Sequence, residues 1–159
     1  FLTFGTGLGA GLILNGKLYV GTNDMAGEVG HIRLAEDGPV GYGKRGSFEG
    51  FCSGAGIARM ARKLIQEKLD NGDEVSFIKS GQKIEDLSTK DIALAASNGD
   101  KTAIEIFARS GSYLGKGLSI LIDILNPQRI VIGGVYARNP ALFVEFAKHI
   151  IENEACCIF

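Results

Sequence analysis

The chain has few of the residues that mark secreted, membrane-spanning or nucleic-acid-binding proteins. Only three prolines occur in 159 residues, with no strict repeat, which excludes a fibrous or proline-rich segment. Cysteine is equally scarce: there are three, two of them adjacent (Cys156 and Cys157). No disulfide framework is written in that pattern, and a reducing, cytoplasmic setting is the simpler expectation. Basic charge is not in excess, since 17 Lys and Arg face 18 Asp and Glu for a net −1; nucleic-acid binding by this segment is disfavoured. Long apolar runs are missing as well. The uncharged opening, residues 1–16, is broken by five glycines, and the run 118–125 contains Asp123, so neither reads as a membrane span. No basic-then-apolar secretory leader is expected at the start. Apolar residues at 45% and charged residues at 22% are those of a globular chain. The length fits one domain on a prior of roughly 100–200 residues.

What the chain does have is glycine. Its 23 glycines are about twice the usual share of roughly 7%, a sign of many positions with positive φ or close backbone approach. Residue 1 is Phe rather than Met and already belongs to an apolar run, so residues 1–159 are expected to be a piece of something longer.

The order of elements is legible from pattern. Phe1-Leu2-Thr3-Phe4 reads as a short buried strand entering a glycine turn, Gly5-Thr6-Gly7-Leu8-Gly9. Two apolar runs, 11–14 and 17–20, are joined by Asn15-Gly16, the pair that a two-residue type I′ hairpin requires. Residues 21–53 lose periodicity and read as one long loop; structureless loops of that length are usually functional. A helix opens at Ser53 or Gly54, with Ile57, Met60, Ala61, Leu64, Ile65 and Leu69 on one face, and stops at Asn71-Gly72. Residues 73–87 hold either a short helix or only a loop. Ser88 and Asp91 resemble a capping box, and the longest helix runs over about 101–125 to Asn126-Pro127. Arg129-Ile130-Val131-Ile132 then reads as a buried strand ending in Gly133-Gly134, and Asn139 with Pro140 as the start of a last helix. A hairpin followed by helix, strand and helix is an α/β domain.

Three clusters carry chemistry. In Gly5-Thr6-Gly7-x-Gly9, alternate glycines let backbone N–H groups converge on an anion, and Thr6 adds a hydroxyl; a tight β-turn uses the same residues for geometry alone. No helix follows, so this is not the dinucleotide fingerprint. In Gly27-Glu28-Val29-Gly30-His31, a carboxylate and an imidazole three residues apart can face one polar ligand, or simply decorate a solvated loop. The third cluster, residues 38–54, packs glycines densely and ends on Glu49 just before a helix, where an acid also suits the helix dipole.

In this order and spacing, the three clusters and the closing Asn126-Pro127-x-x-Ile130-Val131-Ile132-Gly133-Gly134 resemble the ROK (repressor, open reading frame, kinase) family of sugar kinases and repressors, in its C-terminal domain. The resemblance runs from Phe1 to about Asn153 and implies an actin-like, ribonuclease-H-like ATPase domain. It assigns Gly5, Thr6, Gly7 and Gly9 to a second phosphate loop around ATP, with Mg2+, and Gly133 and Gly134 to the adenosine side. Glu28, His31 and Glu49 go to hexose hydroxyls. Gly111, Gly115 and Gly117 in the long helix each cost about 1 kcal/mol relative to Ala, which close packing, for instance beside the nucleotide, would explain. A homodimer is the family expectation.

Two departures matter. Family members carry Cys-x-Cys-Gly-x-x-Gly-Cys-x-Glu, whose thiolates join the histidine on a structural zinc; here those three positions are Val40, Tyr42 and Ser47. Three soft ligands of four are gone, so no zinc is expected, and the loop must be held by packing, with Tyr42 and Phe48 as plugs. Cys52 lies outside the spacing and reads as a small core residue. The family's catalytic aspartate and first phosphate loop belong to an N-terminal half that these residues do not contain, and Asp24, Asp37 and Asp123 match no motif. This segment alone is therefore expected not to transfer phosphate. Lys44 and Arg45 read as solvated loop charges, His149 as a cation near a helix end, and Cys156 and Cys157 as inert thiols. The parent protein is expected to be a glucokinase-like hexose kinase; the alternative is the sugar-sensing domain of a repressor of the same family, which an upstream helix-turn-helix would reveal. A non-sugar actin-like ATPase is a third reading, against which Glu28 and His31 speak.

Overall fold

A computed structural model describes residues 1–78 and 81–156. Strand β1 (Leu2–Phe4) lies in the middle of a three-stranded sheet, antiparallel to β2 (Leu8–Ala10) and parallel to β7 (Ile132–Gly134). Leu2 and Phe4 are buried while Thr3 faces out, the period of two that a half-covered sheet demands. Strands β3 (Leu12–Leu14) and β4 (Lys17–Tyr19) form the expected hairpin, with Asn15 and Gly16 at φ 53° and 74°, the left-handed pair of a type I′ turn.

Residues 21–53 are not the structureless loop that the lost periodicity suggests. They hold a 3-10 turn, Val29–His31, a second small hairpin of β5 (Val40–Gly41) and β6 (Lys44–Arg45), and helix α1 (Phe48–Cys52). Each piece is only two to five residues long and is fixed by tertiary bonds: Phe48 N–H donates to Ile32 O (2.8 Å) and Leu34 N–H to Gly46 O (2.8 Å). Elements this short carry no readable period.

The remaining helices are α2 (Gly54–Asp70), α3 (Thr89–Ser97), α4 (Lys101–Leu125), α5 (Val135–Arg138) and α6 (Val144–Glu154). Ser53 caps α2 by accepting the Gly56 N–H, and Ser88 with Asp91 forms the reciprocal capping box of α3. Asp100 caps α4, and Asn126 in the left-handed conformation ends it. Helix α4 packs against α1, α2, α3 and α6, and Phe48, Ile57, Ile65, Ile92, Ile106 and Phe107 fill the space between them with almost no exposure. The α4 glycines serve that packing rather than a nucleotide. A Cβ on Gly111 or Gly115 would meet α6 residues such as Phe146 and Ile150, and one on Gly117 would lie 2.4 Å from the Phe48 ring.

Three expectations need correction. Leu69, counted on the apolar face of α2, is 40% exposed, because the last turn of the helix runs past the core. The strand expected at Arg129 begins only at Ile132; Val131 is 48% exposed, and β7 is half-buried because among the described residues it pairs with β1 alone. Pro140 opens a 3-10 turn (Pro140–Leu142), and α6 starts after Phe143; Asn139 makes no capping bond. Between residues 73 and 87 the regular structure described is a 3-10 turn, Ile84–Asp86. The expectation for Cys157 falls outside the described residues. Among those described, no helix is long and apolar enough to cross a membrane.

Candidate functional site

Strands β1 and β7 run parallel, so their carboxyl ends lie side by side, where open α/β sheets place their ligands. Beyond β1, Gly5 N–H donates to Gly7 O (2.9 Å) and closes a tight turn. Gly54 N–H donates to Gly5 O (2.8 Å), tying that turn to the N-terminus of α2. Beyond β7, Gly134 has φ 78°, and a Cβ there would lie 2.1 Å from Phe4 O. Only glycine lets the chain turn into α5 at this distance from β1. Gly133 faces the Phe1 ring. The glycine pair is therefore accounted for by packing inside the chain, at the same sheet end as the Gly5 turn.

Glu49 is the centre of the arrangement. Ser47 caps α1 by accepting the Gly50 N–H (3.1 Å) and donates to Gly41 O (3.2 Å), which sets Glu49 in the first turn. Its side chain is only 7% exposed, and Oε2 accepts the Leu8 N–H at 3.0 Å. A Cβ on Gly7 would come within 2.8 Å of that same oxygen, so this glycine is what lets a carboxylate lie against the turn. The loop of Gly27 to His31 closes on the same spot: a Cβ on Gly30 would meet Leu8 O at 2.6 Å and Glu49 Cβ at 3.4 Å. The carboxylate's other oxygen, Oε1, takes no hydrogen bond from the described residues. Glu49 belongs to the wall of a cavity of about 480 Å³ that Thr6, Gly7, Tyr42, Ala55 and Arg59 also line. The amides of Thr6 and Gly7 have no acceptor among the described residues. The wall thus includes two residues whose amides have no partner among the described residues, together with the Thr6 hydroxyl and a carboxylate anchored through one oxygen.

The other candidates are arranged around this cavity with less contact. Glu28 precedes the 3-10 turn, exposed and without a side-chain bond. His31 is half-buried, its ring centroid 4.7 Å from that of Tyr42, and its carbonyl accepts Lys44 Nζ at 2.8 Å. His31 therefore reaches the cavity wall through Tyr42, while Glu28 is not part of that wall. Gly9 lies within β2, past the turn itself.

The zinc loop of the resembling family is replaced by ordinary packing. Val40 has no donor atom, and the Ser47 hydroxyl is committed to the α1 cap. Tyr42 sits at φ 51° in the β5–β6 turn with its ring on His31. These residues do not fit a tetrahedral zinc, and among the described residues no three His, Cys, Asp or Glu side chains gather as a metal site. Of the two expected plugs, Phe48 is fully buried, but Tyr42 is 73% exposed, because a left-handed turn residue points away from the fold. Arg45 pairs with Asp37 at 3.0 Å, and that guanidinium holds the Asp37 carboxyl below its ordinary value. Cys52 is a core residue as expected; burial pushes its thiol far up. Sequence reasoning missed Ala55 and Arg59. They stand one helical turn apart after the Ser53 cap, but nothing in the sequence separates Arg59 from Arg62 or Lys63.

The mixed sheet and helices, and the likeness to ROK family kinase structures, place the chain in the α/β class with the actin-like ATPase fold. The chain belongs to the ROK family, whose model matches residues 1–155. It is 38% identical to a glucokinase of Halalkalibacterium halodurans over 135 residues, 84% of this chain and 40% of that protein. It is 30% identical to the DNA-binding transcriptional dual regulator NagC of Escherichia coli K12 over 154 residues, 96% of this chain and 36% of the regulator. Among solved structures, a ROK family glucokinase from Streptomyces griseus in complex with glucose and AMPPNP superposes with a TM-score of 0.81 at 29% identity, covering 98% of this chain and 50% of that one. The chain thus spans about two fifths of the length of the curated relatives it matches.

Proposed function

We propose that the protein carrying this chain is an ATP-dependent hexose kinase of glucokinase type, with residues 1–159 forming its C-terminal domain. The observation that carries the reading is Glu49: one carboxylate oxygen is anchored on the Leu8 amide, and the residue shares a cavity wall with the open Thr6 and Gly7 amides. A phosphoryl transfer to a sugar needs a hydroxyl held next to a phosphate, and catalysis of that reaction is largely positioning and charge stabilisation. Here the Glu49 carboxylate accepts a sugar hydroxyl, a charge-assisted bond, while the Thr6 and Gly7 amides and the Thr6 hydroxyl donate to phosphate oxygens. Glu28 and His31 accept further hydroxyls. ATP supplies the phosphoryl group when bound, with Mg2+ as its counter-ion, and the proton acceptor for the attacking hydroxyl comes from the remainder of the protein. A homodimer is the expected assembly. The likeness to the Halalkalibacterium halodurans and Streptomyces griseus glucokinases supports glucose as the first substrate to try.

The test is an ADP-release assay on the full-length protein with a panel of hexoses. Hexose-dependent ADP formation supports the kinase. Sugar binding without turnover favours the second reading, a sugar-sensing domain of a transcriptional repressor, for which the likeness to NagC over 96% of the chain is the specific support.

A further inference from the structure

We propose that Arg59 is a positioning residue for the phosphate end of the nucleotide, an inference that rests on the kinase reading above. The cavity at the Gly5 turn has a problem of charge. Its wall carries the Glu49 carboxylate, 7% exposed and bonded to a single amide. A polyphosphate brought against Thr6 and Gly7 meets that negative charge across a partly desolvated space, where repulsion is poorly screened. Arg59 is the one cation among the described residues lining the cavity.

Three observations give the guanidinium this role. First, among the described residues it takes part in no ion pair or hydrogen bond: the ion pairs engage Arg45, Lys63, Lys68 and Arg109, and Arg62 on the same helix donates to Leu87 O. Second, Ala55 and Arg59 are four residues apart on α2 and share the helix face that lines the cavity. Third, helical side chains lean toward the N-terminus of their helix, and the N-terminus of α2 is the one tied to the turn by the Gly54 to Gly5 bond. Arg59 is exposed, and lines both this cavity and the neighbouring one of Asp37, Lys63 and Glu67; a side chain leaning toward the N-terminus of α2 has the Gly5 turn within its direction of reach. Its planar fork suits two oxygens of a phosphate.

The experiment uses the full-length protein and the variants Arg59→Ala, Arg59→Lys and Lys63→Ala. KM is measured for ATP and for hexose, and Kd for a fluorescent methylanthraniloyl-ATP probe. Arg59→Ala should raise the ATP KM and the probe Kd roughly 10- to 150-fold, the range of a lost charge-assisted hydrogen bond, with the hexose KM within about twofold. Added salt should weaken ATP binding less in Arg59→Ala than in the wild type. Arg59→Lys should recover part of the loss, and Lys63→Ala, one turn further and beside Glu67 (3.9 Å), should change neither constant. Hexose turnover by the wild type with an unchanged ATP KM in Arg59→Ala overturns this proposal and leaves the kinase reading standing. A wild type that neither turns over hexose nor binds the probe overturns both. Probe binding without turnover removes the kinase reading alone, and the probe Kd of Arg59→Ala still decides the role of Arg59. Equal losses for ATP and hexose with a lowered Tm mark a merely structural residue and overturn the proposal.

Discussion

Gly117→Ala in α4 should damage both the fold and the site, through one ring. The added Cβ would lie 2.4, 2.5 and 2.7 Å from three atoms of the Phe48 ring. Phe48 has no exposed surface and packs edge-on against Phe4, with centroids 6.0 Å apart, so the ring has no open side into which to turn. Replacing glycine inside a helix gains about 1 kcal/mol of propensity, whereas overpacking a filled core costs about 1–3 kcal/mol. Three ring atoms in contact put this site at the upper end of the cost, leaving a net loss of about 1–2 kcal/mol. For a chain of this size that is a fall in Tm of roughly 2–8 °C. Phe48 and Glu49 are neighbours in the five-residue α1, so relieving the clash shifts the carboxylate, and the hexose KM should rise with it. Thermal and urea denaturation measure the first effect, and initial rates on the full-length protein the second. Phe48→Leu in the same background should restore part of the stability, as expected of residues in contact. A Gly117→Ala protein as stable as the wild type would refute the reasoning, since the propensity gain would then meet no opposing contact.

Three further outcomes are expected. The isolated 159-residue chain should show no hexose-dependent ADP release with Mg·ATP; turnover above that of a Glu49→Gln control would contradict the division of labour proposed for the two halves. Metal analysis after chelator treatment should find no stoichiometric zinc, and close to one zinc per chain would show that the residues around His31 had been misread. Maleimide labelling mapped by mass spectrometry should modify exposed Cys156 and spare Cys52, whose buried thiol is held protonated far above its ordinary range; Cys52 should react only in denaturant, and rapid native labelling would mean that α1 opens readily.

What the sequence reveals depends on whether a feature is fixed locally. Asn15-Gly16, the Ser88 and Asp91 box, and the limits of α4 at Asp100 and Asn126 are set by the residues that adopt them, and each is legible. The loop of residues 21–53 is not, because its short hairpin, turn and helix are fixed by bonds to one another, such as Phe48 N–H to Ile32 O. The apolar run Ile130-Val131-Ile132 has the composition of a central parallel strand, yet β7 has a partner on one side only among the described residues. Pro140 marks a helical first turn correctly, but the turn is 3-10 and ends at Leu142. In the site, the glycine turn and the acids were visible as motifs. That Glu49 lies on the Leu8 amide, rather than apart from the phosphate turn, follows from the contact of α1 with β2, which no local pattern encodes. Arg59 carries no signal at all beyond helical spacing from Ala55.

The assignment of the acid-bearing loops to the sugar is the centre of the account, and Glu49→Gln in the full-length protein tests it most directly. Glutamine keeps the shape and can still accept the Leu8 N–H with its carbonyl oxygen, but its other terminal atom is then an NH2 donor, so the charge and the second acceptor are both removed. A carboxylate is a strong acceptor for a neutral hydroxyl and a poor neighbour for a triphosphate, so its loss should affect the two substrates in opposite senses. The hexose KM should rise roughly 5- to 150-fold, equivalent to about 1–3 kcal/mol, while the ATP KM stays level or falls. A raised ATP KM with an unchanged hexose KM would contradict the account and make Glu49 part of the nucleotide site instead.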